Sequence, residues 1–260
     1  MLIIIDCCDT IFSNDITTED GILLRLDKYL SDSGKYTRSE SSRLIRQGKV
    51  TADGVVIRDP AIKVDESTVQ VAVDGITVSY SKYNYLMLNK PQGTVCTTDS
   101  GDERSVMQLV PKYYSGRGAF PCGRLDIDTT GLVIITDDGP LAHALLSPKH
   151  HCEKKYRFSC ISLTDDQIKL LENGLEFSDF TSKPCSVDRM SPQSGTITIT
   201  EGKYHQIKRM FLAVGSEITE LERISFAGID IDTSLGRGEW RELTDDEINI
   251  LHKNAAQGIS

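Results

Sequence analysis

One stretch constrains this chain more than any other: GRLDIDTTGLVIITDDG, residues 123–139. A polar segment bounded by glycines feeds the apolar run 132–135, and an Asp-Asp-Gly turn closes it. The run reads as a buried strand and the glycines as tight backbone turns. A loop held by a rigid strand is where catalytic groups tend to sit. Asp126 and Asp128 can serve as an acid–base pair, because two carboxylates close in space push their pKa values apart. One or both can equally serve only to cap or order the loop. Spacing leaves both readings open.

Around this stretch, strand-like runs at 85–88, 132–136, 155–159 and 195–200 alternate with helix-like ones at 141–146, 165–171 and 206–214. Strands outnumber helices, and no regular βαβ repeat with a glycine-rich phosphate loop is present. The pattern predicts an α+β domain over 83–250 built on a mixed, mainly antiparallel sheet. Thr244, followed by acidic residues, caps a final surface helix.

A smaller domain is predicted over 24–80. Leu26, Tyr29 and Leu30 recur at i, i+3, i+4 on one helical face, and Gly34 ends that helix. Thr37 or Ser39 caps a second helix over 39–47 that turns Leu44 and Ile45 inward and stops at Gly48. Asp53-Gly54 marks a hairpin within 49–57, and 69–73 supplies another strand. Residues 1–23 carry five acids and no Lys or Arg, show no amphipathic period, and read as an extension.

The chain has 260 residues and a formal net charge of −9. That acidity is terminal: 1–23 carry −5 and 217–260 carry −6, whereas 24–82 carry +2 and 83–216 are neutral. Between 24 and 50 seven Lys/Arg face three acids, with Arg43 and Arg46 a helical turn apart and Lys49 just beyond. Such a cluster is either a solvated face or a phosphate footprint. The seven cysteines form no C-x-x-C pair, so neither a disulfide framework nor a zinc site is indicated, and most read as small buried residues. Adjacent residues rarely converge on one ion, so His150-His151-Cys152 is not read as a metal site. No stretch approaches the 18 or so apolar residues that span a bilayer, and a cytoplasmic protein is expected.

The segment LRLDKYLSDSGKYTRSESSRLIRQGKVTADG (24–54) resembles an S4 RNA-binding domain, whose second helix and following turn contact RNA phosphates. The resemblance gives Arg43, Arg46 and Lys49 that role, which adds salt-dependent affinity without reading sequence. GRLDIDTTGLVIITDDG resembles the catalytic motif of the RsuA family of rRNA pseudouridine synthases. Three further segments match that family in order: LMLNKPQGTVCTT (86–98), SPKHHCEKKYRF (147–158) and EGKYHQIKRMF (201–211).

This second resemblance implies isomerisation of uridine to pseudouridine, with Asp126 as the nucleophile, attacking at C1′ or at uracil C6. It implies that Tyr156 packs against the target base and that Lys208 pairs with Asp126, favouring its charged form. Arg209, Lys90, Arg124, Lys154, Lys155, Lys203 and His205 would line the RNA approach. No cofactor or metal is expected. The closest match in the motifs is to the small-subunit (16S) branch, since large-subunit members more often read Thr-Ser-Gly-Leu and Thr-Asn-Asp-Gly. The expected partner is small-subunit rRNA or its ribonucleoprotein assembly intermediate, bound by a monomer with no membrane association. Two other readings stay open: the same chemistry on large-subunit (23S) rRNA, and a non-catalytic RNA-binding ribosome-assembly factor. Intact Asp126, Tyr156 and Lys208 argue against the latter.

Overall fold

Two compact units, 1–82 and 83–260, make up the chain in a computed structural model that describes residues 17–18, 21–78, 80–99 and 101–256. The first unit contains β1 (Thr17–Thr18), β2 (Gly21–Arg25), α1 (Leu26–Asp32), α2 (Arg38–Arg46), β3 (Val50–Ala52), β4 (Val55–Ile57), β5 (Lys63–Asp65), β6 (Val71–Val73) and β7 (Ile76–Val78). Leu26 and Leu30 are fully buried and Tyr29 nearly so, as the i, i+3, i+4 spacing requires. Thr37 caps α2 in a capping box: its hydroxyl accepts from the Glu40 N–H, and the Glu40 carboxylate accepts from the Thr37 N–H at 2.8 Å. That fixes the helix so that Ile45 points into the core while Arg43 and Arg46 stay exposed.

Asp53 (φ 49°) and Gly54 (φ 80°) both take left-handed backbone, the geometry of the tight hairpin turn that joins β3 to β4. Strands β4-β3-β6-β7 form one sheet and β1-β2-β5 another. The second sheet corrects the reading of 1–23 as an extension. Residues 21–23 belong to β2, and Leu23 pairs with Asp65, so the small domain starts before Leu24. The rest of that extension, 1–16 and 19–20, lies outside the described residues.

The second unit contains β8 (Tyr85–Lys90), α3 (Lys112–Gly116), β9 (Phe120–Pro121), β10 (Thr130–Thr136), α4 (Gly139–Leu146), β11 (Lys154–Cys160), α5 (Asp165–Asn173), β12 (Ser186–Ser191), β13 (Ser194–Ile199), α6 (Gln206–Ala213), β14 (Ile218–Phe226), β15 (Ile229–Asp230), β16 (Trp240–Glu242) and α7 (Asp245–Ala256). Its sheet runs β12-β13-β11-β14-β10-β8-β16, with β9 beside β10 and β15 beside β14. Both faces are covered, so the central strands read as continuous apolar runs. Leu86, Leu88, Val133 and Ile135 face one core with Phe158 and Phe211; Met87, Leu132 and Ile134 face another with Leu141, Leu145 and Leu251.

Every recorded pairing in this sheet is antiparallel except β10 with β14, which run parallel over Thr130↔Glu222 and Gly131↔Arg223. Gly131 sits at φ 98°, and a Cβ there would lie 2.2 Å from the Arg223 carbonyl oxygen. Glycine is what lets the two strands meet here. Strands β12, β14 and β16 go beyond the sequence reading. Helix α7 also carries the domain past residue 250, because Leu251 and Ala255 are buried in the second core. Among the described residues no helix is long and apolar enough to cross a membrane.

Candidate active site

The site is built on the loop that enters β10. Its ascending arm is pinned by the Cys122 N–H donating to the Ile134 carbonyl (2.7 Å) and by Leu125, which is buried in the core with its N–H on Cys96 Sγ (3.4 Å). After Leu125 the chain turns, with the Thr129 N–H bonded to the Asp126 carbonyl at 3.1 Å and the Gly93 N–H to the Ile127 carbonyl at 2.8 Å. This leaves the Asp126 side chain 28% exposed and that of Asp128 54% exposed.

Lys90 clamps the loop from inside. Its side chain is fully buried at the end of β8, and Nζ donates to the carbonyls of Thr129 (2.8 Å), Asp126 (3.1 Å) and Pro91 (3.2 Å), with that of Ile127 at 3.4 Å. Burial pulls its ammonium below the usual lysine range, against the opposing pull of Cys96, Asp128 and Asp126. This corrects the expectation that Lys90 lines the RNA approach: it is a backbone clamp. Lys154 is corrected in the same way. It is 8% exposed, donates to the Cys152 carbonyl at 3.0 Å, and lies 5.5 Å from the Phe226 ring centroid.

Helix α6 brings the partner cation. Ile207, Met210 and Phe211 are buried on one face, which turns Lys208 toward the loop. Lys208 Nζ lies 3.1 Å from Asp126 Oδ2 and bonds closely to Asp128 Oδ1 as well. The expected pair is therefore a triad with one cation between two carboxylates. Burial pulls the Lys208 ammonium down, but the two carboxylates outweigh it and lift it above the usual range. Burial likewise works against the charge on Asp128, and the hydrogen bond and charge of Lys208 prevail to hold its carboxyl low. His205 Nε2 approaches Asp126 Oδ1 at 3.6 Å.

Tyr156 lies on β11 and is 7% exposed, within the same core as Leu125. Its phenol is pushed above the usual range by burial; Arg223 opposes this, and the charge of Asp126 adds to it. The sequence reading missed Arg223. It is the cross-strand partner of Tyr156 on β14 and is 2% exposed, with Nε donating to the Leu132 carbonyl at 2.8 Å. Its Nη2 is buried without a hydrogen-bond partner. An arginine at an inward strand position breaks the apolar period that would have revealed the strand.

The remaining basic residues are scattered. Arg124 is exposed on the loop. Lys203 is also exposed, and Lys155 Nζ sits 4.0 Å from Asp188. Arg209 points away from Lys208, pairs with Asp179 at 3.0 Å, and lies 4.9 and 4.8 Å from the Phe177 and Phe180 ring centroids. In the first unit Arg43, Arg46 and Lys49 are exposed, and Lys49 reaches Asp74 at 3.4 Å. Among the described residues no three His, Cys, Asp or Glu side chains converge as a metal site would need. A cavity of about 380 Å³ lies elsewhere, lined by Tyr83, Asp138, Pro140, Leu141 and His252, and includes none of the loop.

Comparison with known proteins gives a family model described as RNA pseudouridylate synthase that matches residues 84–213, and an S4 domain model that matches 24–69. The uncharacterized RNA pseudouridine synthase YtzG of Bacillus subtilis (strain 168) is 39% identical over 239 residues, covering 90% of this chain and 100% of that protein. Ribosomal small subunit pseudouridine synthase A of Escherichia coli (strain K12) is 41% identical over 230 residues, covering 86% and 98%. A crystal structure of a pseudouridylate synthase superposes with a TM-score of 0.62 at 34% identity, covering 88% of this chain and 99% of that one.

Proposed function

The chain belongs to the RNA pseudouridylate synthase family, with an S4 domain ahead of the synthase domain, and from that premise we propose that it converts a uridine of small-subunit rRNA to pseudouridine with Asp126 as nucleophile. One observation carries the assignment of Asp126: its carboxylate stands partly open on a clamped loop, 3.1 Å from Lys208 Nζ. The small-subunit substrate rests on the 41% identity to the Escherichia coli enzyme across nearly its whole length.

The chemistry follows from these groups. The target nucleotide leaves its stack, at a cost of a few kcal/mol that pocket contacts offset. Asp126 attacks C1′ or C6, the glycosidic bond to N1 breaks, the uracil turns and C5 bonds to C1′, and the bond to Asp126 breaks to free its carboxylate. The proton on C5 is then lost and N1 takes one up, while the buried Tyr156 packs against the base. Lys208 holds Asp126 in an ion pair at 3.1 Å without reacting. Arg43, Arg46 and Lys49 hold a neighbouring RNA element, and a tethered second site raises effective concentration.

Pseudouridine mapping by carbodiimide treatment and primer extension, in cells lacking this protein, tests the substrate. Loss of a small-subunit signal is expected; loss confined to the large subunit refutes it. Asp126→Asn should abolish tritium release from uridine-labelled rRNA while thermal unfolding stays that of the wild type. Equal release from both proteins refutes the role of Asp126.

A further inference from the structure

Tyr204 is an aromatic residue that the chemistry above leaves unused, and it is 75% exposed. Its ring is not a free rotor. It lies nearly parallel on the His205 imidazole, with centroids 3.9 Å apart and planes 17° apart. One face of the tyrosine is therefore covered and the other is open to solvent. His205 in turn reaches Asp126 at 3.6 Å, so the stack stands directly beside the reacting carboxylate.

The turn beneath the stack is fixed in a costly conformation. His205 takes left-handed backbone at φ 49°, which costs a side-chain-bearing residue energy and persists only where the surroundings hold it. Here Gln206, 4% exposed, does so: its Oε1 accepts from the Lys203 N–H at 2.9 Å, its own N–H bonds the Lys203 carbonyl at 3.1 Å, and its Nε2 donates to the buried Glu201 at 2.8 Å. The aromatic pair is thus presented in a set orientation before any ligand arrives.

Turning a nucleotide out of an RNA stack strips its neighbours of a stacking partner. An open, oriented aromatic face offers a replacement, and stacking tolerates any base because every base has a π-face. Exposed Lys203, one residue before Tyr204, supplies positive charge for the backbone that connects the two nucleotides. We propose that Tyr204, backed by His205, is the stacking subsite for the nucleobase adjacent to the target uridine. This deepens the proposed function and rests on it. The subsite is distinct from Tyr156, which is buried and meets the target base itself.

The probe is unmodified, in vitro transcribed small-subunit rRNA. Tyr204→Ala should raise KM for tritium release by about 5- to 150-fold, the usual range for one lost base–aromatic stack, with the loss falling on KM rather than kcat. Tyr204→Phe should keep the wild-type KM, and Tyr204→Leu, apolar but without a π-face, should behave as the alanine variant does. In an Asp126→Asn background, Tyr204→Trp should report the contact directly. Its emission, taken over the Trp240 baseline of Asp126→Asn alone, should be quenched at saturating RNA. A wild-type KM in Tyr204→Ala overturns the subsite. So does unchanged emission of the Tyr204→Trp variant on RNA that filter binding shows to be bound. In both cases the wild-type protein itself still modifies rRNA, so the functional reading stands. If the wild type neither binds nor modifies rRNA, the functional reading fails and the subsite with it.

Discussion

Replacing Lys90 by methionine separates two things the buried lysine does. The substitution keeps an unbranched stem of similar length and removes the ammonium. Four carbonyls lose a donor or close contact, but three have another: Asp126 accepts from the Thr129 N–H, Ile127 from the Gly93 N–H, and Pro91 from the Thr94 hydroxyl. The Thr129 carbonyl takes the shortest of these bonds, at 2.8 Å, and Thr129 is 2% exposed. One stranded buried acceptor costs about 1–3 kcal/mol. Removing an ammonium that burial already disfavours offsets part of that. The net loss of stability is therefore about 1–2 kcal/mol, or about 2–8 °C in Tm for a unit of this size. Turnover should fall further than stability, because the lost bonds all end on the loop that aims Asp126. A displacement of about 1 Å there is enough for about 100-fold in rate. Thermal unfolding and tritium release, measured on the same preparation, check both figures. Wild-type turnover in a variant destabilised by about 1–2 kcal/mol would show that Lys90 stabilises the fold without positioning the carboxylate. A loss of about 4 kcal/mol or more, beyond what one stranded acceptor costs, would show that the three alternative donors do not compensate.

Two further outcomes follow from the packing. Gly131→Ala forces a Cβ to 2.2 Å from the Arg223 carbonyl at a φ of 98°, so strain and overpacking together should cost about 2–6 kcal/mol, read as a lower urea midpoint. A midpoint within error of the wild type would refute the close approach of β10 and β14. In the first unit, burial of Asp27 works against its charge, but the bidentate Arg25 (3.1 and 2.8 Å) prevails and lowers its carboxyl below the unfolded value. Its stabilisation is therefore present above about pH 4 and lost as pH falls through the lower folded value. Asp27→Asn should cost about 1.5–3 kcal/mol near pH 6 and progressively less below pH 4, measured by hydrogen exchange of the 24–78 amides in the full chain. A gap that does not change with pH would refute the charged pair.

The elements legible in the sequence are those whose local signals agree with their surroundings. Helix α2 carries its own capping box, and the Asp53-Gly54 turn can hardly do anything else. Strands β8 and β10 are apolar on both faces because both faces are covered. Strand β14 was illegible for a specific reason. Of its inward positions Leu221, Arg223 and Phe226, the middle one is an arginine, so the pattern reads as a charged surface stretch. The beginning of the small domain is not legible locally, because β2 is completed by β5 some forty residues later, a pairing that no local window contains.

The same logic explains which site residues could be read. The roles proposed for Asp126, Tyr156 and Lys208 follow from residue type within a motif. Lys90 and Lys154 have the type expected of RNA contacts, and only burial separates that reading from a structural one. A lysine at the end of an apolar strand can reach outward to a phosphate or inward to carbonyls, and which it does depends on whether a later segment folds over its Nζ. Here residues 126–129 do so. The two lysines at the loop thus divide the work by what they grip: Lys90 holds the backbone from beneath, and Lys208 holds the carboxylates from α6. Neither can replace the other, since an ammonium spent on carbonyls leaves Asp126 and Asp128 uncompensated, and one between the carboxylates leaves the loop unclamped. A loop carrying two like charges needs both to hold those carboxylates in place.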